Sequence, residues 1–210
     1  MSEARTTWVL FDYGSVICQP QPEADVALLA RAAGCAIAEF SEGYWAHRLD
    51  YDRGELDCAT FWQKVAAGAG RSFTAAQIAE LTRLDIASWL HLQPDTVTLI
   101  EELAAAGYRL ALLSNAPAEV AEVVAALPVA AHFEHCTFSY ELRAVKPEPE
   151  VYQAVLTRLG ASPGEVVFLD DRPENVAAAE ALGIRGVHFT GPAEARAALY
   201  LRGIHVRSRI

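Results

Sequence analysis

The feature that most restricts the fold is a set of short apolar runs that each end abruptly at polar residues. Residues 8–11 are rich in β-forming side chains and stop at Asp12, which opens a turn through Gly14. Similar runs, each followed by polar or turn residues, cover 109–113, 166–169 and 186–189, with a weaker one at 136–138. Runs of this length and composition predict buried β-strands.

Helical patterns lie between the last of these strands. Residues 94–106, 149–159 and 173–182 each begin with proline in or near the first turn and end at glycine, the usual asymmetry of helix starts and stops. Strands that alternate with such helices predict βαβ units, and hence an α/β fold with a Rossmann-like parallel sheet covered on both faces. Ligands bind at the carboxyl ends of the strands in such sheets.

A different pattern occupies the chain between the first strand and the rest. Residues 23–33, 58–67 and 74–90 have helical patterns, the last opening with a capping box, and no strand pattern is clear between 19 and 93. We therefore expect two domains: an α/β core formed by residues 1–18 and 94–210, and an all-helical cap inserted at 19–93.

Composition excludes several classes of partner. The net charge is −10 without a run of Lys or Arg, which argues against nucleic acid and against an anionic membrane surface. No apolar stretch approaches the ~20 residues of a membrane span, and residues 1–5 do not lead into a signal-peptide core. The four cysteines are scattered and form no C-x-x-C pair. We therefore expect reduced thiols in a reducing compartment. We expect a cytoplasmic monomer or homodimer.

The polar residues at the predicted strand ends suit one kind of chemistry. Asp12, Ser114 and the Asp170-Asp171 pair would share the ligand-binding edge, and adjacent acids after a buried strand repel each other unless a cation holds them. A carboxylate that attacks phosphorus must also overcome repulsion between two negative charges. A divalent metal and a lysine such as Lys146 relieve this repulsion, and Mg²⁺ suits an all-oxygen site.

The order and context of these residues resemble the haloacid dehalogenase superfamily of hydrolases, in its phosphatase branch with a helical cap. The matching segments are residues 9–17, 112–115, 145–149 and 167–175. The resemblance implies the following roles: Asp12 as nucleophile and Mg²⁺ ligand, the Gly14 carbonyl as ligand, Ser114 and Asn115 as phosphoryl-binding residues, Lys146 as the catalytic cation, Asp171 as a metal ligand supported by Asp170, and Asn175 as a residue that assists through metal-bound water.

Gly14 departs from the pattern of most phosphatases of this family. They read Asp-x-Asp, and the second acid protonates the leaving group, assistance that is typically ~10²–10⁴-fold. Asp-x-Gly-x-Val resembles a subgroup that includes sugar-phosphate phosphatases. The proton could come from the cap or the substrate, the enzyme could be slow, or catalysis could be lost. Substrate contacts in the cap could come from Trp45, His47, Arg48 and Lys64, although tryptophans packed between helices and a solvated face at His47 and Arg48 are the default expectations.

Three functions follow from these observations. The first is Mg²⁺-dependent hydrolysis of a small phosphorylated metabolite, such as a sugar phosphate, through an aspartyl-phosphate on Asp12. The second is 2-haloacid dehalogenation, but Tyr13 stands one place too early for that branch, which also lacks the double acid at Asp170-Asp171. The third, a phosphate-binding module with a relict site, rests on Gly14 alone.

Overall fold

The centre of the molecule is a five-stranded parallel sheet, seen in a computed structural model that describes residues 7–206. The strands in chain order are β1 Trp8–Phe11, β2 Arg109–Ser114, β3 His135–Phe138, β4 Val166–Asp170 and β5 Arg185–His188. Their order across the sheet is β3-β2-β1-β4-β5, so β1 is central and pairs with β2 and β4. The predicted α/β fold is confirmed, while the expectation for residues 1–5 lies outside the described range.

Helices precede or follow each strand. Within residues 7–206 they are α1 Glu23–Ala33, α2 Ile37–Asp52, α3 Cys58–Gly68, α4 Ala75–Ser88, α5 Pro94–Ala105, α6 Ala118–Ala125, α7 Ser139–Leu142, α8 Pro149–Leu159, α9 Pro173–Ala181 and α10 Pro192–Leu201. Short 3₁₀ turns cover Pro128–His132 and Pro163–Glu165. The predicted helices are present to within one or two residues at each end, whereas α2, α6, α7 and α10 were not predicted.

The strand residues alternate between two apolar layers. Val9 and Phe11 of β1 pack with side chains of α5, α6 and α10 on one face. Trp8 and Leu10 pack with side chains of α8 and α9 on the other. Successive strand side chains point to opposite faces, so every residue of β1 is buried. This double burial fixes the sheet and the position of the strand ends.

The helical insert, α1 to α4, has an apolar core of its own. Its largest buried side chains are aromatic, among them Phe40, Tyr44, Phe61 and Trp62. The predicted capping box is present at the start of α4, where Thr74 and Gln77 exchange side-chain and backbone hydrogen bonds. These contacts explain why four helices can fold together beside the sheet.

The two segments that join the insert to the sheet run side by side. The amide of Gln19 donates to the carbonyl of His91 (2.7 Å) and that of Gln93 to Ile17 (2.8 Å). An isolated antiparallel β-bridge between Cys18 and Leu92 lies between these two hydrogen bonds. The chain therefore leaves the sheet and returns to it at one place.

No helix in the described range is both long enough and apolar enough to cross a membrane. All four cysteines are free: Cys18 is buried, and the other three are partly exposed.

Candidate active site

The first strand ends in a tight turn that presents Asp12. The amide of Asp12 still donates to the carbonyl of Leu169 on β4 (2.9 Å), so the residue continues the sheet. The turn then closes because the amides of Ile17 and Cys18 both donate to the Tyr13 carbonyl. The Tyr13 amide donates to Oδ1 of Asp12 (2.7 Å) and orients the carboxylate. The sequence after the strand thus fixes both the position and the rotation of this side chain.

Lys146 joins Asp12 to Asp170. Its Nζ lies 2.6 Å from Oδ1 of Asp12 and 2.7 Å from Oδ2 of Asp170, and it also donates to the Leu113 carbonyl at 3.2 Å. An ammonium group has three protons to donate, so these partners can use all of them. The three charged side chains are buried, where charge–charge attraction is weakly screened. One cation is therefore shared between two carboxylates at neighbouring strand ends.

Asp170 and Asp171 face different surroundings. Asp170 is fully buried, and its carboxylate accepts hydrogen bonds from the Arg172 amide (2.9 Å) and from Nδ2 of Asn175 (2.9 and 3.1 Å) as well as from Lys146. Asp171 is partly exposed and lines the cavity described below. Asp170 thus binds Lys146 inside the protein, whereas Asp171 faces the cavity.

Burial and local charge shift the pKa values of these groups. Burial raises the pKa of Asp12 to about 7; Lys146 acts to lower it, and Asp170 and Asp171 act to raise it. The pKa of Asp171 is also raised, first by burial and then by the charge of Asp170. Burial alone would lower the pKa of Lys146, but Asp12 and Asp170 outweigh it and raise the pKa. The site holds more negative charge than its lysine neutralises.

The two residues predicted to bind the phosphoryl group, at the end of β2, have different surroundings. Ser114 is buried and lines the cavity beside Asp12. Asn115 also lines it, but its side-chain amide is bonded to the backbone of Lys146: Nδ2 donates to the Lys146 carbonyl (3.0 Å) and Oδ1 accepts from the Lys146 amide (2.8 Å). Asn115 therefore fixes the lysine loop.

The donor set at the strand ends fits a magnesium ion. One carboxylate oxygen from each of Asp12, Asp170 and Asp171 lies within 4.8 Å of the others, and hard oxygen ligands are those that Mg²⁺ prefers. Asn175 supplies a second observation. It is buried and lines the cavity, and its Oδ1 has no hydrogen-bond partner within residues 7–206. A water bound to a metal would satisfy this oxygen, since unpaired buried polar atoms are rare in proteins.

A cavity of about 580 Å³ opens between the strand ends and the insert. The insert contributes residues of α2 and the residue after α4, namely Trp45, Arg48, Leu49, Asp52 and Trp89. The sheet side contributes Tyr13, Gly14, Ser15, Ala116, Val120 and Arg172, besides the site residues already described. Its volume lies within the roughly 300–1,000 Å³ of small-molecule sites.

Comparison with known families identifies the chain. Residues 6–183 match the family model described as haloacid dehalogenase-like hydrolase. The chain belongs to this family. The haloacid dehalogenase-like chain is accordingly a hydrolase, as the resemblance of its four motifs implied.

Named relatives of this haloacid dehalogenase-like hydrolase include phosphatases and dehalogenases. It is 26% identical over 184 residues to a sesquiterpene phosphatase of Aspergillus oryzae, covering 86% of this chain and 88% of the relative. It is 30% identical to (S)-2-haloacid dehalogenase 1 of a Pseudomonas strain, covering 62% and 60%. A HAD family enzyme from Bacteroides thetaiotaomicron, solved as a magnesium complex, superposes with a TM-score of 0.71 at 25% identity, covering 86% and 91%.

The insert of this hydrolase contributes site residues that the sequence did not single out, namely Leu49 and Asp52, besides some that it did. Trp45 and Arg48 line the cavity as considered, but His47 and Lys64 are not among its lining residues. Arg48 is 4% exposed, so the expectation of a solvated face was wrong: its Nε lies 2.6 Å from Asp52, and Nη1 lies 3.4 Å from Asp85. The i, i+4 spacing was a signal for the pairing of Arg48 with Asp52, but not for the burial of either residue.

The tryptophans of the insert have different environments. Trp62 is fully buried in the insert core, as expected for packing between helices. Trp45 is 57% exposed, and Trp89 is partly buried with its ring under the Arg48 guanidinium at 5.4 Å. Packing therefore accounts for Trp62, whereas Trp45 and Trp89 both face the cavity.

Proposed function

We propose that this haloacid dehalogenase-like hydrolase is a Mg²⁺-dependent phosphatase that cleaves phosphomonoesters of small metabolites. The observation that carries the proposal is the shared cation at the strand ends. Lys146 pairs with both Asp12 and Asp170, which leaves the Asp171 carboxylate on the cavity without a salt-bridge partner among residues 7–206. This excess of negative charge around the nucleophile suits a divalent metal and an anionic substrate together.

The reaction begins at Asp12. A carboxylate oxygen of Asp12 attacks phosphorus, the P–O bond to the leaving alcohol breaks, and that bond's electron pair leaves with the alcohol oxygen, which takes up a proton. Water then attacks phosphorus, the bond between phosphorus and Asp12 breaks, and free phosphate leaves. Lys146 holds Asp12 in place and offsets its charge as the phosphate approaches, while Ser114 binds a phosphoryl oxygen.

Magnesium would be held by Asp12, Asp171 and the Gly14 carbonyl. Asp170 is a weaker candidate because both its oxygens accept hydrogen bonds from Lys146 or Asn175. The unpaired Asn175 oxygen is suited to a water on the ion. When bound, the ion supplies positive charge that stabilises the phosphoryl group during transfer.

The proton for the leaving alcohol has one candidate source in the insert. Among the described residues that line the cavity, the carboxylic acids are Asp12, Asp52 and Asp171. The first attacks phosphorus and the third serves the metal, which leaves Asp52. Burial raises the pKa of Asp52 in spite of the opposing charge of Arg48, and a raised pKa keeps a carboxyl group closer to the protonated form that an acid needs.

The domain division and location belong to the same proposal. The insert has a separate apolar cluster and supplies one wall of the cavity, which supports a cap over residues 19–93 on a core of 1–18 and 94–210. The free cysteines are compatible with a reducing compartment, and we propose a cytoplasmic enzyme. Its partner is a small phosphorylated molecule, and we expect a monomer or homodimer.

The test is phosphate release from 4-nitrophenyl phosphate. We expect turnover with Mg²⁺, loss of turnover with excess EDTA, and recovery when Mg²⁺ is restored. Asp12→Asn, which nearly preserves side-chain volume, should abolish turnover. An aryl leaving group needs little acid assistance, so Gly14 should not prevent this reaction. Chloride release from 2-chloropropionate without added metal, together with no phosphate release, would establish the dehalogenase alternative instead.

A further inference from the structure

We propose that the substrate is the phosphate ester of an uncharged, apolar alcohol, whose hydrocarbon part packs against Trp45 and Leu49 of the insert and Val120 of the core. This inference rests on the proposed phosphatase function and names its substrate class. It departs from the sugar phosphate suggested by the sequence motif around Gly14.

The apolar wall is formed from both sides of the cavity. Trp45 and Leu49 are four residues apart on α2, which places them on one face of the helix, and both line the cavity. Trp45 is 57% exposed and Leu49 is 47% exposed. Val120 on α6 lines the cavity from the core. Covering exposed apolar side chains is favourable, so a hydrocarbon chain here gains more than a polyol.

The two buried cations of the cavity, Arg48 and Lys146, are already held by buried carboxylates. Three cationic side chains line the cavity: Arg48, Lys146 and Arg172. Each is already paired: Lys146 as described above, Arg48 with Asp52, and Arg172 with Glu174 at 2.8 Å. Within the described chain, every cation on this surface therefore has a carboxylate within salt-bridge distance.

Arg48 decides the character of the insert wall. It is buried between Asp52 and Asp85, and Asp85 is held further by the Tyr44 hydroxyl at 2.7 Å. One guanidinium with two carboxylates carries no net positive charge. A substrate carboxylate or second phosphate would meet a wall with no net positive charge, and burying an unpaired charge is costly. The wall thus disfavours phosphorylated acids and 2-haloacids and accepts an uncharged group.

The first experiment measures kcat/KM for methyl, butyl and octyl phosphate, kept below micelle-forming concentrations, beside glucose 6-phosphate and phosphoglycolate. Burial of a methylene in an apolar site is expected to raise kcat/KM by roughly two- to fourfold. We therefore expect octyl phosphate to exceed methyl phosphate by at least about a hundredfold and to exceed both polar substrates. Equal values for methyl and octyl phosphate, or a preference for either polar substrate, overturn the inference while leaving the phosphatase function intact.

A matched pair of variants locates the effect. Leu49→Gln should reduce the ratio of kcat/KM for octyl phosphate to that for methyl phosphate by at least about tenfold. Leu28→Gln is the control, because Leu28 is also a leucine of the insert with similar exposure, 46%, but does not line the cavity. It should leave the dependence unchanged. Equal behaviour of the two variants contradicts the proposed wall.

Binding of alkylphosphonates separates failure of this inference from failure of the phosphatase function. These compounds are not hydrolysed, so calorimetry reports affinity whether or not the protein turns over. Tighter binding of octylphosphonate than methylphosphonate, weakened by Leu49→Gln, supports the apolar wall even if no ester is cleaved. Equal affinity for the two phosphonates rejects it.

Discussion

Asn115 holds the backbone of Lys146 through two hydrogen bonds in opposite directions. Its Nδ2 donates to the Lys146 carbonyl at 3.0 Å, and its Oδ1 accepts from the Lys146 amide at 2.8 Å. The two residues follow different strands, so the contact ties the end of β2 to the loop before α8. Asn115 can therefore influence catalysis without touching the reacting atoms.

We predict that Asn115→Ala lowers kcat more than it changes KM, because the Lys146 backbone loses both hydrogen bonds to the Asn115 side chain. The cost in unfolding free energy should be about 1–3 kcal/mol, typical of leaving buried polar groups unpaired. Gln63→Ala is a matched control: Gln63 makes the same two-way contact with the Phe73 backbone inside the insert. It should lower stability with little effect on kcat. Equal loss of kcat in both variants would contradict a positioning role for Asn115.

Removal of the shared cation should affect stability as well as activity. Lys146→Met leaves Asp12 and Asp170 buried beside each other without their cation, and breaking a buried pair in this way costs about 3–5 kcal/mol. The double variant Lys146→Met with Asp170→Asn should recover part of that loss but no activity. Denaturant unfolding in EDTA measures the stability of the single and double variants, and phosphate release measures their activity. No recovery in the double variant would show that repulsion between the carboxylates is not the cause.

The missing acid at position 14 can be tested by adding it. A Cβ at Gly14 would lie 3.8 Å from the Trp89 ring, an ordinary contact, and Gly14 is not among the positive-φ glycines. Gly14→Asp should therefore fold. Because Asp52 is tied to Arg48, an acid at position 14 should be the better proton donor. We expect the variant to raise kcat on alkyl phosphates by about tenfold or more, within the range of general acid catalysis, and to change aryl phosphate turnover less.

Asp52→Asn should lower the rate on alkyl phosphates, in contrast to Gly14→Asp. If Asp52 supplies the proton, its loss slows alkyl phosphates more than 4-nitrophenyl phosphate, and Gly14→Asp rescues the alkyl reaction in the double variant. Steady-state rates on the two classes of ester measure this. Equal slowing on both classes, without rescue, would indicate that Asp52 serves the fold through Arg48 and donates no proton.

The pKa of Asp12 predicts a pH dependence of stability in the absence of metal. Burial raises this pKa from 3.8 in the unfolded chain to about 7 in the folded protein. The folded state then binds the proton more tightly, so the contribution of Asp12 to stability is present below about pH 4 and is lost as pH rises to about 7. In EDTA, the unfolding free energy of the wild type should fall relative to Asp12→Asn across this window and run parallel above it. Parallel curves throughout would contradict the raised pKa.

Local patterns were sufficient to predict the sheet but not the whole helical layer. Doubly buried strands such as β1 and β4 are continuous apolar runs, which are visible in sequence. Helix α2 was missed because Arg48 and Asp52 occupy the same buried face as Phe40 and Tyr44. Charged residues at these positions interrupt the apolar period on which helix prediction depends.

The candidate site divides in the same way. Asp12, Ser114, Lys146 and Asp171 lie together at one edge because they follow parallel strands or the loop beside them, which topology dictates. The pairing of Asn115 with Lys146 spans 31 residues, and the burial of Arg48 depends on Asp85 from another helix. Neither relation has a local signal, because both arise from how separate elements pack.

The paired linkers at Gln19–His91 and Ile17–Gln93 bear on how such a protein can change over generations. Because the inserted segment begins and ends at adjacent points, a short turn could replace it with little loop-closure entropy and without altering the register of any strand. Mutations, exchanges and length changes within the insert can therefore accumulate without disturbing the strand-end residues Asp12, Ser114, Lys146 and Asp171. A different insert can therefore accommodate a new leaving group while the residues at the strand ends stay unchanged.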